Sequence, residues 1–282
     1  MPKYIDIHAH VNFKAFRDDT DEVIHRALNA DTWLFNVGSQ YSTSKRAVEM
    51  AHEYKEGVYA IIGLHPVHLE ESFHDEEETG GEGFMSHKEE FNKEKYLELA
   101  RDSKVVAIGE CGLDYYHLDP LSIEKQKKVL IEQIEVANEV GKPLMLHIRN
   151  NPTDNTYNAY KDTAEILKQY AKVSGVSHFF AGSVEDMKRF VEMGIHVSFA
   201  GPITYKPKPE ICDYVAVIHE TPLEFILTDT DSPYVAPVPY RGKRNEPSYV
   251  CEIVKKIAEI KNLPESVIAQ AIVANAKRLF GI

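Results

Sequence analysis

The chain is expected to fold as one α/β unit, a (β/α)8 TIM-type barrel with its site at the C-terminal ends of the strands. Two observations predict this. Short runs rich in Val, Ile, Leu and Phe alternate with stretches of helical period along the 282 residues, as parallel strands buried on both faces do. In addition, six residues of metal-binding type follow such runs: His8, His10, Glu110, His147, His178 and Asp231. A barrel brings those positions together on one face. A doubly wound sheet fits less well. No G-x-G-x-x-G follows the first strand, and that fold does not gather ligands from strands one, four, five, six and eight.

Taken in order, the strands read as residues 4–7, 34–37 (before Gly38), 58–64 (before His65), 105–108 (ahead of Glu110), 144–146, 175–177 (leading into His178), 196–199 and 225–227. Helical signals separate them. Val129, Leu130, Ile134, Ala137 and Val140 share one face, and Gly141 and Pro143 end that helix. Ser183 with Asp186 forms a capping-box signal before Met187, Phe190 and Val191, and Gly194 closes it. Ile253, Val254, Ile257 and Ile260 mark another stripe. Pro264 opens a last helix that runs to about Leu279. No repeat, linker or boundary divides residues 1–282.

Hydrophobic residues make up 43% of the chain, enough for a globular core, but no apolar run reaches the ~18–20 residues of a membrane span. The N-terminus enters a strand at once, so no signal peptide is expected. Cys111, Cys212 and Cys251 are odd in number and far apart, which fits a reducing cytoplasm better than a disulfide framework. Cys111 follows Glu110 and is either a soft ligand or, more in keeping with its type, a buried thiol. The formal charge of −12 argues against polyanionic substrates, but residues 70–94 hold ten acids against two bases, leaving −4 for the remainder. We expect that segment to be a solvated acidic insertion.

One His-x-His pair carries little information, since a chain with this histidine content yields about 0.6 by chance. Six ligand-type residues after predicted strands carry much more. His8 and His10, two apart on an extended segment, face the same side and can bind one ion, which Asp231 would complete. His147 and His178 would hold a second ion. Glu110 is the natural bridge. Such a pair of ions activates a water for hydrolysis, and Asp231 can accept its proton. Asp229 sits beside Asp231, either supporting it or as a plain strand-end carboxylate. Zinc, magnesium and manganese all remain open as the two divalent ions.

The motifs carry a resemblance as well. I-D-I-H-A-H, G-L-H-P at 63–66, I-G-E-C-G-L-D-Y-Y at 108–116, G-K-P-L-M-L-H-I-R at 141–149, H-F-F-A-G-S at 178–183, T-D-T-D-S-P-Y at 228–234 and P-V-P-Y-R-G-K-R-N-E-P at 237–247 resemble the TatD family of metal-dependent deoxyribonucleases, nearly end to end. The resemblance implies a phosphodiesterase, with 3′–5′ exonuclease action on DNA as substrate, taken as single strands or at 3′ ends. It carries over Asp231 and Glu110 as catalytic groups and the six residues above as metal ligands. One departure is Asp229, where the family usually has Glu. Another is the acidic insertion, which follows the third strand and so lies on the site's face.

For substrate contacts, His65 meets the phosphate or makes a structural hydrogen bond. Arg149 holds a phosphate oxygen or pairs with a site carboxylate. Arg241, Lys243 and Arg244 form a basic loop that can neutralise backbone phosphates. Tyr115, Tyr116, Phe180 and Tyr205 are candidates to stack on bases. An amide or ester hydrolase on the same centre, such as a D-aminoacyl-tRNA deacylase or a lactonase, is the alternative. A non-catalytic metal-binding scaffold is a third reading. No membrane and no obligate protein partner are implied.

Overall fold

The computed structural model describes residues 1–70, 73–74, 84–85, 88–116, 120–154, 156–206 and 212–282. Apart from a short antiparallel pair, Phe73–His74 with Phe84–Met85, the barrel strands are β1 (Tyr4–Ala9), β2 (Thr32–Val37), β3 (Val58–Ile62), β4 (Val105–Asp114), β5 (Leu144–Arg149), β6 (Gly175–Ser177), β7 (Ile195–Phe199) and β8 (Ile226–Thr228). They pair in chain order, all in parallel. The circle closes between β1 and the segment after β8. There the Asp231 N–H donates to the His8 carbonyl at 2.9 Å and the His10 N–H to the Ser232 carbonyl at 2.8 Å. The expected (β/α)8 barrel is therefore the observed fold.

The helices are α1 (Thr20–Asn29), α2 (Tyr41–Glu53), α3 (Lys93–Ala100), α4 (Pro120–Val140), α5 (Ala159–Tyr170), α6 (Val184–Glu192), α7 (Tyr214–Glu220), α8 (Val250–Lys261) and α9 (Glu265–Phe280). They cover the outside of the sheet. Phe35 of β2 meets Phe280 of α9 edge-on at 4.9 Å, and Lys277 of the same helix lies over Trp33. Since Trp33 and Phe35 face outward, alternation turns Leu34 and Asn36 toward the barrel axis. The same alternation puts Asp6 and His8 of β1 on one side and Ile5 and Ile7 on the other. Among the described residues, no helix is long and apolar enough to cross a membrane.

Two differences from the sequence reading matter for the site, and the first is that strands run past their expected ends, β1 to Ala9 over His8 and β5 to Arg149 over His147. β4 continues to Asp114 instead of stopping at Ile108, so Glu110 lies within a strand and not after one. A run of Gly109, Glu110 and Gly112 does not look like strand. Here, however, glycine is required by close approach: a Cβ on Gly112 would sit 1.9 Å from the His147 carbonyl oxygen of β5, and one on Gly109 2.3 Å from that of Met145. The second concerns the acidic segment. Most of it lies outside the described residues, but its C-terminal end is helical from Lys93 onward. Asn92 caps α3 by accepting the Lys95 N–H at 3.0 Å, so Lys93 and Glu94 belong to the barrel.

Candidate metal centre

β1, β4, β5 and the segments just after β1, β6 and β8 deliver side chains to one point. Glu110, from β4, is the hub. Its Oε1 lies 2.7 Å from His178 Nε2 and 3.0 Å from His147 Nδ1, and its Oε2 lies 3.4 Å from His8 Nε2 and 3.8 Å from His10 Nε2. Asp231 Oδ1 stands 3.4 Å from His10 Nε2 and 3.8 Å from His8 Nε2. All six expected ligands thus meet, with one Glu110 oxygen facing each half of the cluster. Three groups have donor atoms close enough to share an ion: His8, His10 and Asp231; His8, Glu110 and His178; His65, Glu110 and His147. The grouping departs from the expected His147–His178 pair in one respect. His178 stacks on His8 at 3.8 Å between ring centroids, while His147 and His178 are 5.9 Å apart and meet only through Glu110.

Hydrogen bonds at the far side of His10, His147 and His65 fix which nitrogen of each faces inward. His10 Nδ1 lies 2.9 Å from the Val37 carbonyl, an acceptor only, so that nitrogen carries the proton and Nε2 presents its lone pair. His147 Nε2 lies 2.8 Å from Asp114 Oδ2, which leaves Nδ1 toward Glu110. His65 is the opposite case. Its Nδ1 accepts the Val67 N–H at 3.1 Å, so the neutral ring carries its proton on Nε2 and is a donor beside Glu110, not a ligand.

Electrostatics sort the rings further. Burial drives the His8 imidazole down to about 3, and the neighbouring His178 adds to that. Burial and His147 also lower His65. For His147 burial pulls down as well, but the Asp114 and Glu110 carboxylates outweigh it and push the ring up to about 9. His10 is likewise raised against burial by Asp231 and Glu110. Glu110 stays ionised well below its usual range despite burial, because imidazoles crowd it. Four imidazoles and two carboxylates, aimed inward with lone pairs, fit divalent cations.

Beneath the cluster, Asp6 accepts the Thr230 N–H at 2.8 Å and its hydroxyl at 2.6 Å. Asp229 accepts from the Phe179 N–H and the Ser198 hydroxyl, and burial pushes its pKa up to about 6. Asp229 thus ties the backbone beside His178 to β7 through Oδ2, while its buried Oδ1 has no hydrogen-bond partner among the described residues. Cys111 lies 3.6 Å from the Met145 carbonyl as a buried thiol.

Sequence reading missed Asp114, Gln126 and Gln133. Gln126 clamps both backbone groups of Asp114, and Gln133 clamps both of Leu64, next to His65. The available signal was two amides seven residues apart on the buried face of α4.

At the rim, Arg149 stacks on Tyr116 at 3.6 Å and Arg241 on Tyr205 at 4.5 Å. Arg241 and the exposed Lys243 make no ion pair among the described residues. Arg244 instead forks onto Asp19 with bonds of 2.8 and 2.5 Å and donates to the Ala15 carbonyl. That fixes the loop to the start of α1. Of the candidate stacking rings, Tyr115 and Phe180 are fully buried: Tyr115 donates to Asp162 and Phe180 packs on Tyr160.

A parallel barrel carrying this donor set on its C-terminal face defines a metal-binding hydrolase scaffold. Comparison with known proteins narrows that class. A family model described as TatD related DNase matches residues 5–281. An uncharacterized metal-dependent hydrolase of Bacillus subtilis, YabD, is 39% identical, over 98% of each chain. The Escherichia coli K12 hydrolase YcfH is 28% identical, over 99% of this chain and 96% of its own. The crystal structure of YjjV, a TatD homolog from Escherichia coli K12, superposes with a TM-score of 0.81 at 28% identity, covering 99% and 98% of the two chains. The chain belongs to the TatD family of metal-dependent hydrolases.

Proposed function

We propose that this protein is a metal-dependent phosphodiesterase acting on DNA, a 3′–5′ exonuclease that takes single strands or 3′ ends. The observation that carries the reading is the pairing of guanidinium with aromatic ring at two places on the rim, Arg149 on Tyr116 and Arg241 on Tyr205. Both pairs stand at the strand ends that surround the ligand cluster. The exposed Arg241, which makes no ion pair among the described residues, can turn its edge donors to phosphate oxygens from its place over Tyr205, and the half-exposed Tyr205 ring offers a face to a base. The family match to a DNase model supports the same substrate class.

His8, His10 and Asp231 would hold one ion. His147 and His178 would hold a second, with Glu110 between them. When bound, such ions polarise the scissile phosphate and make a water acidic enough to attack at neutral pH. The rest falls to the chain. Asp231, kept ionised against burial by His10, His8 and His178, can accept the water's proton. His65, with its proton on Nε2, can donate to a phosphate or leaving-group oxygen. Asp6, Asp229 and Thr230 hold the Asp231 segment in place from below.

The test is hydrolysis of 5′-labelled single-stranded DNA by chelator-stripped protein resupplied with Zn²⁺, Mn²⁺ or Mg²⁺, beside a panel of aryl esters, lactones and D-aminoacyl-tRNA. Stepwise loss of 3′ nucleotides that needs added metal is the expected result. Turnover of the esters or the aminoacyl-tRNA with intact DNA would overturn the nuclease reading in favour of an ester or amide hydrolase. Turnover of nothing with any metal would favour a scaffold.

A further inference from the structure

We infer that Asp114 is a positioning residue of the metal centre: it holds His147 by Nε2 so that Nδ1 faces the ion, and Gln126 of α4 holds Asp114 in turn. The inference rests on the proposed reading of the cluster as a metal site.

Asp114 ends β4, four residues beyond Glu110. Its Oδ2 lies 2.8 Å from His147 Nε2, and its Oδ1 accepts the Tyr116 N–H at 2.9 Å. Both oxygens are therefore committed, and the carboxylate cannot rotate without breaking one contact. The peptide is committed too. Its N–H donates to Gln126 Oε1 at 2.8 Å and its carbonyl accepts Gln126 Nε2 at 2.9 Å. Gln126 is itself buried, so water competes poorly for either bond. The result is a chain of fixed contacts running from helix to carboxylate to imidazole.

His147 needs such an anchor more than the other ligand rings. Its side chain is 19% exposed, against 0% for His8, 4% for His10 and 3% for His178. His178 is held by its stack on His8 and His10 by its stack on Phe13 and the Val37 carbonyl. Without Asp114, the His147 ring has two tautomers and two flipped orientations open to it, and only one presents an Nδ1 lone pair 3.0 Å from Glu110. A carboxylate accepts and never donates, so Asp114 selects that one and makes the ring a stronger donor.

The experiment is a Zn²⁺ titration of chelator-stripped protein against a chromophoric chelator. It compares wild type with Asp114→Ala, Asp114→Asn and Gln126→Leu, with thermal unfolding run on each. Wild type should bind two ions. In Asp114→Ala one of the two should bind about 10–100-fold more weakly while the other keeps its affinity. Asp114→Asn is the discriminating variant because it keeps size and shape. Its carbonyl is claimed by the Tyr116 N–H, so its NH2 faces His147 Nε2 and enforces the other tautomer. It should fail as Asp114→Ala does, and the ¹⁵N shifts of His147 should report a proton on Nδ1. Gln126→Leu should weaken the same ion by a smaller factor.

Wild-type affinity in Asp114→Asn would overturn the inference, since shape alone would then suffice. Equal weakening of both ions would overturn it as well, because a group acting through His147 cannot act alike on the His8, His10 and Asp231 ion. A wild-type protein that binds no ion would sink the metal reading itself, a result distinct from either.

Discussion

Substituting Gly112 by Ala tests whether β4 must lie as close to β5 as it does. The added Cβ would stand 1.9 Å from the His147 carbonyl oxygen, where real contacts begin near 3.0 Å, so the strands would have to part by about 1 Å. The pairs in the way are Gly112 with His147, Leu113 with Ile148 and Asp114 with Arg149. Overpacking of this kind costs about 1–3 kcal/mol. The backbone at Gly112 has φ near +153°, a conformation that L side chains rarely adopt, and this adds about 1–2 kcal/mol. Gly112→Ala should therefore lose about 2–5 kcal/mol. Gly141 is the control, with φ +67° and nothing within 4 Å of a built Cβ; Gly141→Ala should lose only about 1 kcal/mol. Urea unfolding with a chelator present separates the packing cost from any metal contribution. Equal losses in the two variants would refute the reasoning, because crowding against His147 would then contribute nothing.

Asp231→Asn should lower turnover at least ~100-fold, as removal of a proton acceptor does, while circular dichroism stays unchanged; near-normal turnover would remove Asp231 from the chemistry. Arg241→Ala should weaken single-stranded DNA binding and flatten its salt dependence by about 0.7 in log–log slope. Arg244→Ala should leave that slope alone and cost about 1 kcal/mol of stability through its lost Asp19 pair; the reverse assignment would show up in the same two measurements. Asp102 supplies a pH test far from the site. Burial opposes its ionisation, but the Lys104 N–H and His52 hold its pKa below the usual value. A depressed folded pKa gives stability that is present above the unfolded value and lost as pH falls through the folded one. Asp102→Asn should thus cost about 1 kcal/mol at pH 7, and the gap to wild type should hold down to about pH 5 and narrow below about pH 4. A gap independent of pH would contradict this.

Much of the barrel was legible because its strands are short apolar runs ended by polar residues. The clustering of the six candidate ligands was legible for a related reason: each imidazole or carboxylate alone has structural uses, but six of them at or beside the ends of predicted barrel strands converge on one point. The parts that were not legible share a cause. Gly109 and Gly112 disguise β4, because what makes them strand residues is the neighbouring backbone and not their own propensity. Tyr115 and Phe180 stand beside site residues in sequence, but both lie just past their strands and turn into the core, onto Asp162 and Tyr160. Arg244 is chemically identical to a phosphate ligand, and only the fold brings Asp19 to it. Asp114 and Gln126 lie twelve residues apart, and neither has a meaning until α4 packs on β4.

The seam between β1 and β8 has a wider consequence. A closed barrel normally has no weakest joint, yet among the described residues this joint has two backbone hydrogen bonds, at His8 with Asp231 and at His10 with Ser232, beside the side-chain bonds of Asp6 with Thr230 and of Thr228 with Ile5. Three of the four residues in the backbone bonds are ligand candidates. An ion held by His8, His10 and Asp231 would thus act as a clasp across the first and last strands, tying chain closure to occupancy. Withdrawing it should loosen the molecule from that edge inward, with the His10 and Asp231 amides exchanging with solvent before those of β4 and β5. Metal supply would then govern how long the folded enzyme lasts as well as how fast it works.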